Sequence, residues 1–201
     1  IEKPCTIITF ENLTSTNTSS HSIELSWDKN DNLREWYIEY SEMGVSRPNS
    51  GSITTTKNTI ELENLVENSL YEFNVTPVCL NDESGVSKII NLKTDINYCN
   101  QYIYDSGNLE ENYQNNENNT IFIKPFDKGK QSSITFEEFD LEENYDFLYI
   151  YNGQPVQENL IKRYTGNKNP GTITSNNTNG ELTLVFISDE YNTKNGWKAF
   201  V

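Results

Sequence analysis

The chain has 201 residues, with 30 acidic against 15 basic side chains and a formal net charge of −15. This charge excludes a nucleic-acid-binding protein, which needs a basic face, and no apolar run approaches the roughly 18 residues of a membrane helix. The chain holds 29 Asn and a single Ala, Ala199, and 12% of it is aromatic. This composition favours strands over helices and predicts an all-β protein. No secretory leader opens the sequence, so we expect a mature fragment.

Residues 1–95 are predicted to form short strands between polar turns. Apolar residues alternate with polar ones in these strands, as at Ile23, Leu25 and Trp27, which places the apolar side chains on one face. The stretch TSTNTSSHS at 14–22 reads as a loop, with the chain's one histidine, His21, as a solvated turn residue. The seven predicted strands are Thr6–Phe10, 23–27, 36–40, Ile53–Thr56, Thr59–Leu62, 71–75 and Ser87–Thr94.

Residues 1–95 contain three characteristic motifs: Trp27 in SIELSWD, the run WYIEY at 36–40 and LVENSLYEFNV at 65–75. With these motifs the segment resembles a fibronectin type III domain, an immunoglobulin-like β-sandwich. In the last motif Leu65 stands six residues before Tyr71, which is the spacing of the family's tyrosine corner. The resemblance therefore implies a hydrogen bond from the Tyr71 hydroxyl to the preceding turn, although Glu67-Asn68 stands where the family usually has Pro-Gly.

The same resemblance bears on two of the three cysteines. Cys5 precedes the first predicted strand and Cys79 ends the strand that begins at Tyr71. In a type III sandwich both positions lie near the end where the chain enters, so the resemblance implies a Cys5–Cys79 disulfide. Two buried free thiols are the alternative. Three dispersed cysteines and one histidine do not match the spacing of a zinc site.

Residues 99–201 are again predicted as strands and turns. The Asn-rich stretch ENYQNNENN at 111–119 has the composition of a disordered segment, but its place between two apolar runs predicts that it is ordered. The clearest predicted strands are Ile121–Lys124, Ile134–Phe139, Phe147–Tyr151, Leu160–Tyr164, Leu182–Ile187 and Trp197–Val201.

Residues 99–201 contain a long series of motifs in a fixed order: IYDSGN at 103–108, NYQNN at 112–116, ITFEEFDLEENYDFLYIYNG at 134–153, LIKRYTG at 160–166 and VFISDEYNTKNGWKAF at 185–200. With these motifs the segment resembles a CUB domain, a jelly-roll-like β-sandwich. CUB domains usually carry two disulfides, whereas only Cys99 remains here and the position expected to pair with it falls near Asn119. The prediction is thus two β-sandwiches in tandem, a fibronectin type III domain over 1–95 and a CUB domain over 99–201.

An acidic run in the second segment predicts a cation site. Six acids fall within ten residues, 137–146, with no basic residue among them. Such runs are most often solvated faces. Here Phe136 and Phe147 bracket a predicted turn, which forces the acids at its tip together, and close like charges are costly unless a cation neutralises them. Calcium suits such a site, because it takes 6–8 oxygen ligands.

The CUB resemblance implies which residues hold the calcium. Carried onto this sequence, the ligands are the carboxylates of Glu142, Asp146 and Asp189, with a carbonyl near Tyr191 and the side chain of Asn192. Tyr113 would be a hydrogen-bond partner that orients Glu142. The loop between Glu142 and Asp146 is shorter than in vertebrate relatives, which leaves Glu143 as an alternative to Glu142.

The resemblances imply a binding function without catalysis. A basic side chain of a protein partner would contact the calcium-ordered acids of a secreted or cell-surface adhesion or accessory protein. The alternative is a carbohydrate-binding module with structural calcium, in which Trp197, Tyr151 and Tyr191 stack on sugar rings. For Trp197 a core position is favoured instead, because GWKAF resembles the family's usual last strand. Paired carboxylates also serve glycoside hydrolysis, but these lie on a predicted turn rather than in a cleft, so we predict that the protein is not an enzyme. The Asn-rich, Cys-poor composition indicates a bacterial source.

Overall fold

The structure is a computed structural model that describes residues 9–108 and 110–201. It divides into two compact units, Ile1–Ile96 and Asn97–Val201. Each unit has its own buried cluster of apolar side chains between two antiparallel β-sheets. The predicted all-β class, with two β-sandwiches in tandem, is therefore confirmed.

The first unit pairs a three-stranded sheet with a four-stranded sheet, in the orders β1-β2-β5 and β4-β3-β6-β7. Strands β3 and β6 are the longest and pair along most of their length. The strands are β1 Thr14–Thr18, β2 Ile23–Ser26, β3 Leu33–Glu42, β4 Ser50–Thr55, β5 Thr59–Leu62, β6 Leu70–Cys79 and β7 Lys88–Lys93.

The core of the first unit follows the alternation of the sequence. Ile23 and Leu25 on β2 are fully buried, and the tilted rings of Trp27 and Trp36 lie with centroids 5.2 Å apart. The tyrosine corner is also present, because the backbone N–H of Val66 donates a hydrogen bond of 2.9 Å to the Tyr71 hydroxyl. This bond ties the turn before β6 to the core.

Two predictions for the first unit need correction or lie outside the described residues. Part of the stretch predicted as a loop, Thr14–Thr18, is the edge strand β1, which is built from polar residues and gives no apolar alternation. Of the predicted first strand, residues 6–8 lie outside the described residues, and Thr9 and Phe10 are not in a strand. Cys5 also lies outside them, so the Cys5–Cys79 pairing stays a prediction.

The second unit consists of two four-stranded sheets, in the orders β13-β10-β15-β8 and β12-β11-β14-β9. A short 3-10 helix, Gln157–Asn159, precedes β12. The strands are β8 Tyr102–Tyr104, β9 Asn118–Ile123, β10 Ser133–Asp140, β11 Phe147–Tyr151, β12 Leu160–Tyr164, β13 Thr172–Thr174, β14 Leu182–Ile187 and β15 Gly196–Phe200.

The six strands predicted for the second unit all occur, three of them with the predicted bounds. The sequence pattern missed β8 and β13, which have three residues each and are too short to show a period of two. The core between the sheets includes Leu148, Ile150 and Leu184. Residues 111–119 are ordered, since Tyr113 is 1% exposed and β9 begins at Asn118.

Asparagine makes many of the turns. Non-glycine residues with positive φ are eight asparagines and one aspartate among the described residues, namely Asn12, Asn64, Asn68, Asp82, Asn100, Asn108, Asn116, Asn144 and Asn192. Asparagine tolerates this left-handed conformation better than most residues because its short side chain bonds to the local backbone. Two of these turns, at Asn144 and Asn192, lie beside the acidic residues described next.

Candidate metal site

Three carboxylates meet at one end of the second unit. Glu142 follows β10, Asp146 immediately precedes β11, and Asp189 lies two residues after β14. One oxygen from each lies within 4.8 Å of the other two. The antiparallel pairing of β11 with β14 places Phe147 opposite Ile187, which brings the two aspartates together.

Asp146 is the buried centre of this group. Its side chain is 0% exposed, one oxygen accepts a hydrogen bond from the Tyr113 hydroxyl, and the other accepts the backbone N–H of Asp189 at 2.9 Å. Burial first, and then the bond to Asp146, raise the pKa of Tyr113 above its ordinary value, so the phenol stays a proton donor. The backbone N–H of Glu142 donates to the same hydroxyl at 3.0 Å. Tyr113 therefore fixes the Asp146 carboxylate and the Glu142 backbone.

Glu142 carries an oxygen without a partner. Its Oε1 accepts a hydrogen bond of 3.0 Å from the Asn192 amide, while its Oε2 is buried and has no hydrogen-bond partner. Within residues 9–108 and 110–201, none of the three carboxylates forms an ion pair with a basic side chain. A buried, unpaired carboxylate oxygen beside two further carboxylates is costly without a cation. The donor set is therefore compatible with a hard cation that prefers oxygen ligands.

The other predicted site residues lie around this group in different ways. The backbone N–H of Tyr191 donates to the Asp189 carboxylate at 2.8 Å, and the Tyr191 side chain is exposed. Glu143 is exposed and lies against Gly166, outside the cluster of three carboxylates. In the structure it is thus Glu142, and not Glu143, that joins the two aspartates.

The acidic run does not gather as a whole. Glu137 is on β10, where it forms an ion pair of 2.9 Å with Lys198 and accepts a hydrogen bond from the Tyr102 hydroxyl. The strand continues to Asp140, so the turn predicted between Phe136 and Phe147 begins later than expected. Of the acidic run, only residues after β10 join the cluster of carboxylates.

Two further buried carboxylates, Asp105 and Glu117, were not predicted from the sequence. Both line a cavity of about 290 Å³ with residues of β8, β9, β14 and β15. Asp105 is 7% exposed and Glu117 is 8% exposed. The two residues are twelve positions apart and belong to no acidic run, so no signal in the sequence indicated their proximity.

The aromatic residues considered for sugar binding do not form one surface. Trp197 is 3% exposed and packs in the core with its ring 6.0 Å from that of Phe136. Tyr151 is half-buried and stacks on Tyr149, whereas Tyr191 is 64% exposed. Trp197 is thus a core residue and is not available for stacking on a sugar.

The geometry defines a class of protein, a tandem of β-sandwich modules with an acidic site at one end of the second. The family model "CUB domain" matches residues 94–200, more than half of the chain, and the model "Fibronectin type III domain" matches residues 9–91. The chain belongs to the CUB domain family, with a fibronectin type III module before the CUB domain.

Animal proteins are among the relatives that match. Neuropilin-1 of Mus musculus is 34% identical over 108 residues, which cover 48% of this chain and 11% of that protein. Cubilin of Rattus norvegicus is 34% identical over 71 residues, which cover 33% of this chain and 2% of that protein. The chain thus spans only a small part of either relative. Since these relatives are animal proteins, the predicted bacterial source is not borne out.

A likeness to solved structures is also found. The fibronectin type III domain of the human collagen alpha-1(XX) chain matches with a TM-score of 0.40 and 15% identity, covering 43% of this chain and 84% of that one. In residues 9–108 and 110–201 no helix has the length and apolar character that crossing a membrane requires.

Proposed function

We propose that the CUB domain binds one Ca²⁺ through Glu142, Asp146 and Asp189. The acidic loops that this ion orders would then bind a basic side chain of a protein partner. Both modules would act as non-catalytic accessory or adhesion modules of a larger secreted or cell-surface protein. The modules are assigned to residues 1–95 and 99–201. Outside the cell a Cys5–Cys79 disulfide is stable, which fits the location.

The observation that carries the calcium proposal is the uncompensated charge of the three carboxylates. Asp146 is fully buried, and the buried Oε2 of Glu142 has no partner. Calcium would supply the missing positive charge and accept several oxygen ligands at once. A backbone carbonyl near Tyr191 and the side-chain oxygen of Asn192 would complete the ligand set.

The residues around the acids already hold them in place. Tyr113 bonds to Asp146 and Asn192 donates to Glu142. The backbone N–H of Asn116 donates to the Asp189 carbonyl at 2.7 Å, which ties the loop after β14 to the loop before β9. Partners of this kind raise metal affinity because fewer groups need reordering when the ion binds.

A basic partner follows from the charge of this end. Asp140, Glu142 and Glu143 line the adjoining groove, whereas Lys194 is the single basic residue among its described lining. Such an excess of negative charge attracts basic partners and speeds encounter. Neuropilin-1 and cubilin contain regions similar to this chain. These similarities support a role as a protein-binding module of a larger protein.

The test compares thermal unfolding of the full chain in calcium and in chelator. We expect a higher midpoint in calcium, because an ion that binds only the folded state stabilises it. Glu142→Gln and Asp189→Ala should each abolish the difference. Glu143→Gln is the matched control in the same loop and should retain it.

Two results would contradict the proposal. Equal midpoints in calcium and chelator would remove the ion from this site. A calcium response that survives in Glu142→Gln but is lost in Glu143→Gln would transfer the ligand role to Glu143. Partner binding is tested separately, with a lysine-rich peptide whose binding should require calcium and Glu142.

A further inference from the structure

The side of the CUB domain between the edge strands β8 and β9 carries a second feature that the calcium site does not use. It is the cavity of about 290 Å³. Its walls are apolar along β14, mainly polar along β9, aromatic at β8 and β15, and acidic at one place. The lining residues are Tyr104, Asp105, Ser106, Glu117, Asn119, Thr120, Ile121, Leu184, Phe186 and Trp197.

The two acids of the cavity are fixed but not neutralised. Asp105 accepts backbone N–H groups from Trp197 and from Gly107, the latter at 2.9 Å. Glu117 accepts the Ser106 hydroxyl, the Gln114 backbone N–H at 2.6 Å and the Asn119 amide at 2.6 Å. Neither acid forms an ion pair in the described part of the chain. Buried charge without a counter-charge is costly, and a basic group in the cavity would remove that cost.

The cavity wall is aromatic beside the acids. Trp197 and Tyr104 line it together with Asp105. A lysine residue brings a cation for the acids and an aliphatic stem for the aromatic wall, so it suits both.

The neighbouring strand explains why that occupant is an extended polypeptide. β9 is an edge strand of its sheet. In the described residues it pairs only with β14, and this pairing has no register shift. It has no charged residue, whereas β12 at the opposite edge carries Lys162 and Arg163 and pairs through a register shift. Charges and bulges protect edges from added strands, so β9 is open to one. An added strand would direct alternate side chains into the gap between the sheets, where the cavity lies.

We propose that this cavity takes a lysine side chain of a partner's extended segment, which lies along β9. The apolar walls contact the aliphatic stem, and Asp105 and Glu117 receive the ammonium group. The cavity is at the lower limit of small-ligand pockets, which suits one side chain. A second copy paired through its own β9 is a poor occupant, because β9 offers no basic residue to the acids.

The first test uses Nα-acetyl-lysine methylamide as the probe, with the full chain in chelator. The Trp197 indole N–H resonance should shift, and the lysine probe should bind at least tenfold more tightly than the matched Nα-acetyl-norleucine methylamide. Asp105→Asn and Glu117→Gln should each weaken lysine binding at least tenfold. Equal binding of the two probes overturns the proposal. So does lysine binding that survives both substitutions but is lost in Glu142→Gln, which would place the lysine at the metal site.

A second variant keeps the test decisive if removal of an acid unfolds the domain. Asn119→Lys leaves both acids in place and supplies an ammonium group from β9 itself. We expect the folded variant to lose probe binding and to unfold at a higher temperature than the wild type. Unchanged probe binding in Asn119→Lys overturns the proposal.

The strand along β9 is tested with a peptide, Thr-Val-Thr-Lys-Thr-Val-Thr. It should bind about tenfold more tightly than the single lysine probe, because its backbone also pairs with β9. The same peptide with N-methyl groups on alternate amides should lose this gain. Equal affinity of the peptide and the single lysine would overturn the strand-addition part of the proposal.

Discussion

The two units are both two-sheet sandwiches, but they bury different polar groups. The buried polar side chains of the first unit's described residues are the hydroxyls of Ser20, Ser22 and Thr94. Those of the second unit include three carboxylates, at Asp105, Glu117 and Asp146. Hydroxyls join loops at little cost, whereas buried carboxylates cost several kcal/mol each unless they are paired. The buried carboxylates are thus concentrated in the second unit.

Thr94 shows how the first unit buries a neutral polar side chain. Its hydroxyl donates to the Val66 carbonyl at 2.6 Å and accepts the Ser69 backbone N–H at 2.9 Å. The neutral groups are satisfied by each other, and no ion is required. Asp146 is also hydrogen-bonded, but its charge remains. Hydrogen bonding and charge compensation are thus separate requirements, and Asp146 meets the first without an ion pair.

The largest expected effect comes from Gly196, which has φ +82 and precedes Trp197. A Cβ at this position would overlap the Asp105 carboxylate, so Gly196→Ala should displace a buried charge as well as strain the backbone. We expect a loss of about 3 kcal/mol in the free energy of unfolding of the second unit, measured by urea denaturation.

The matched control is Gly129, which has nearly the same φ, +79, but has no other atom within 4 Å of the position that a Cβ would take. Gly129→Ala should cost only about 1 kcal/mol, the backbone part alone. Equal losses for the two variants would show that the Asp105 carboxylate can move aside without cost.

The second prediction restricts the effect of calcium to one unit. At an ion concentration about a hundred times the Kd, the second unit should gain about 2.7 kcal/mol, and the first unit should gain nothing. Hydrogen exchange followed by mass spectrometry separates the units by their peptides. Protection that rises equally in peptides of β3 and β11 would contradict a site built by the second unit alone.

The third prediction compares two buried tyrosines. Tyr71 accepts a backbone N–H, whereas Tyr113 also donates to the ionised Asp146. Hydrogen bonds to charged groups are about twice as strong, so Tyr113→Phe should cost about 2 kcal/mol and Tyr71→Phe about 1 kcal/mol. Only Tyr113→Phe should also weaken calcium binding, by about tenfold or more in Kd. Chemical denaturation and calcium titration of both variants measure these differences.

The smallest effect concerns pH. Burial, more than any other cause, raises the pKa of Asp105 above its ordinary 3.8. The folded state therefore holds this proton to higher pH than the unfolded state, so the contribution of Asp105 to stability falls as pH rises above 3.8. Asp105→Asn should remove this contribution. The difference in unfolding free energy between wild type and variant should change as the pH rises above 3.8. A difference that stays constant would contradict a raised pKa of Asp105.

The sequence predicted most strands because burial on one face imposes alternation. Ile23, Leu25 and the residues of β11 carry that signal, and their strands appear where expected. β1 carried none, because an edge strand without a buried face has nothing to mark it. Its formation depends on pairing with β2, which local sequence does not encode.

The candidate site was predictable to different degrees. Glu142 and Asp146 belong to the acidic run, so charge clustering indicated a site there, and the resemblance to CUB domains selected these two residues. Asp189 is more than forty residues away and was reached only through the resemblance to CUB domains. Asp105 and Glu117 were missed, because their proximity arises from the loops around β8 and β9 and neither lies in a motif of acids. Tyr113 was predicted to orient Glu142; its hydroxyl accepts the backbone N–H of Glu142 and donates to the Asp146 carboxylate.

The left-handed asparagines have a consequence for the denatured chain. Glycine would adopt these turns with less strain, but it would also give the unfolded ensemble more conformations to lose on folding. Asparagine narrows that ensemble and still accepts the turn, a gain on the order of a few tenths of a kcal/mol at each compatible position. Eight such positions act together in a chain with only 10 glycines. An Asn-rich composition is usually associated with disorder. Here, compared with glycine at the same turns, it lowers the conformational entropy that the chain loses on folding.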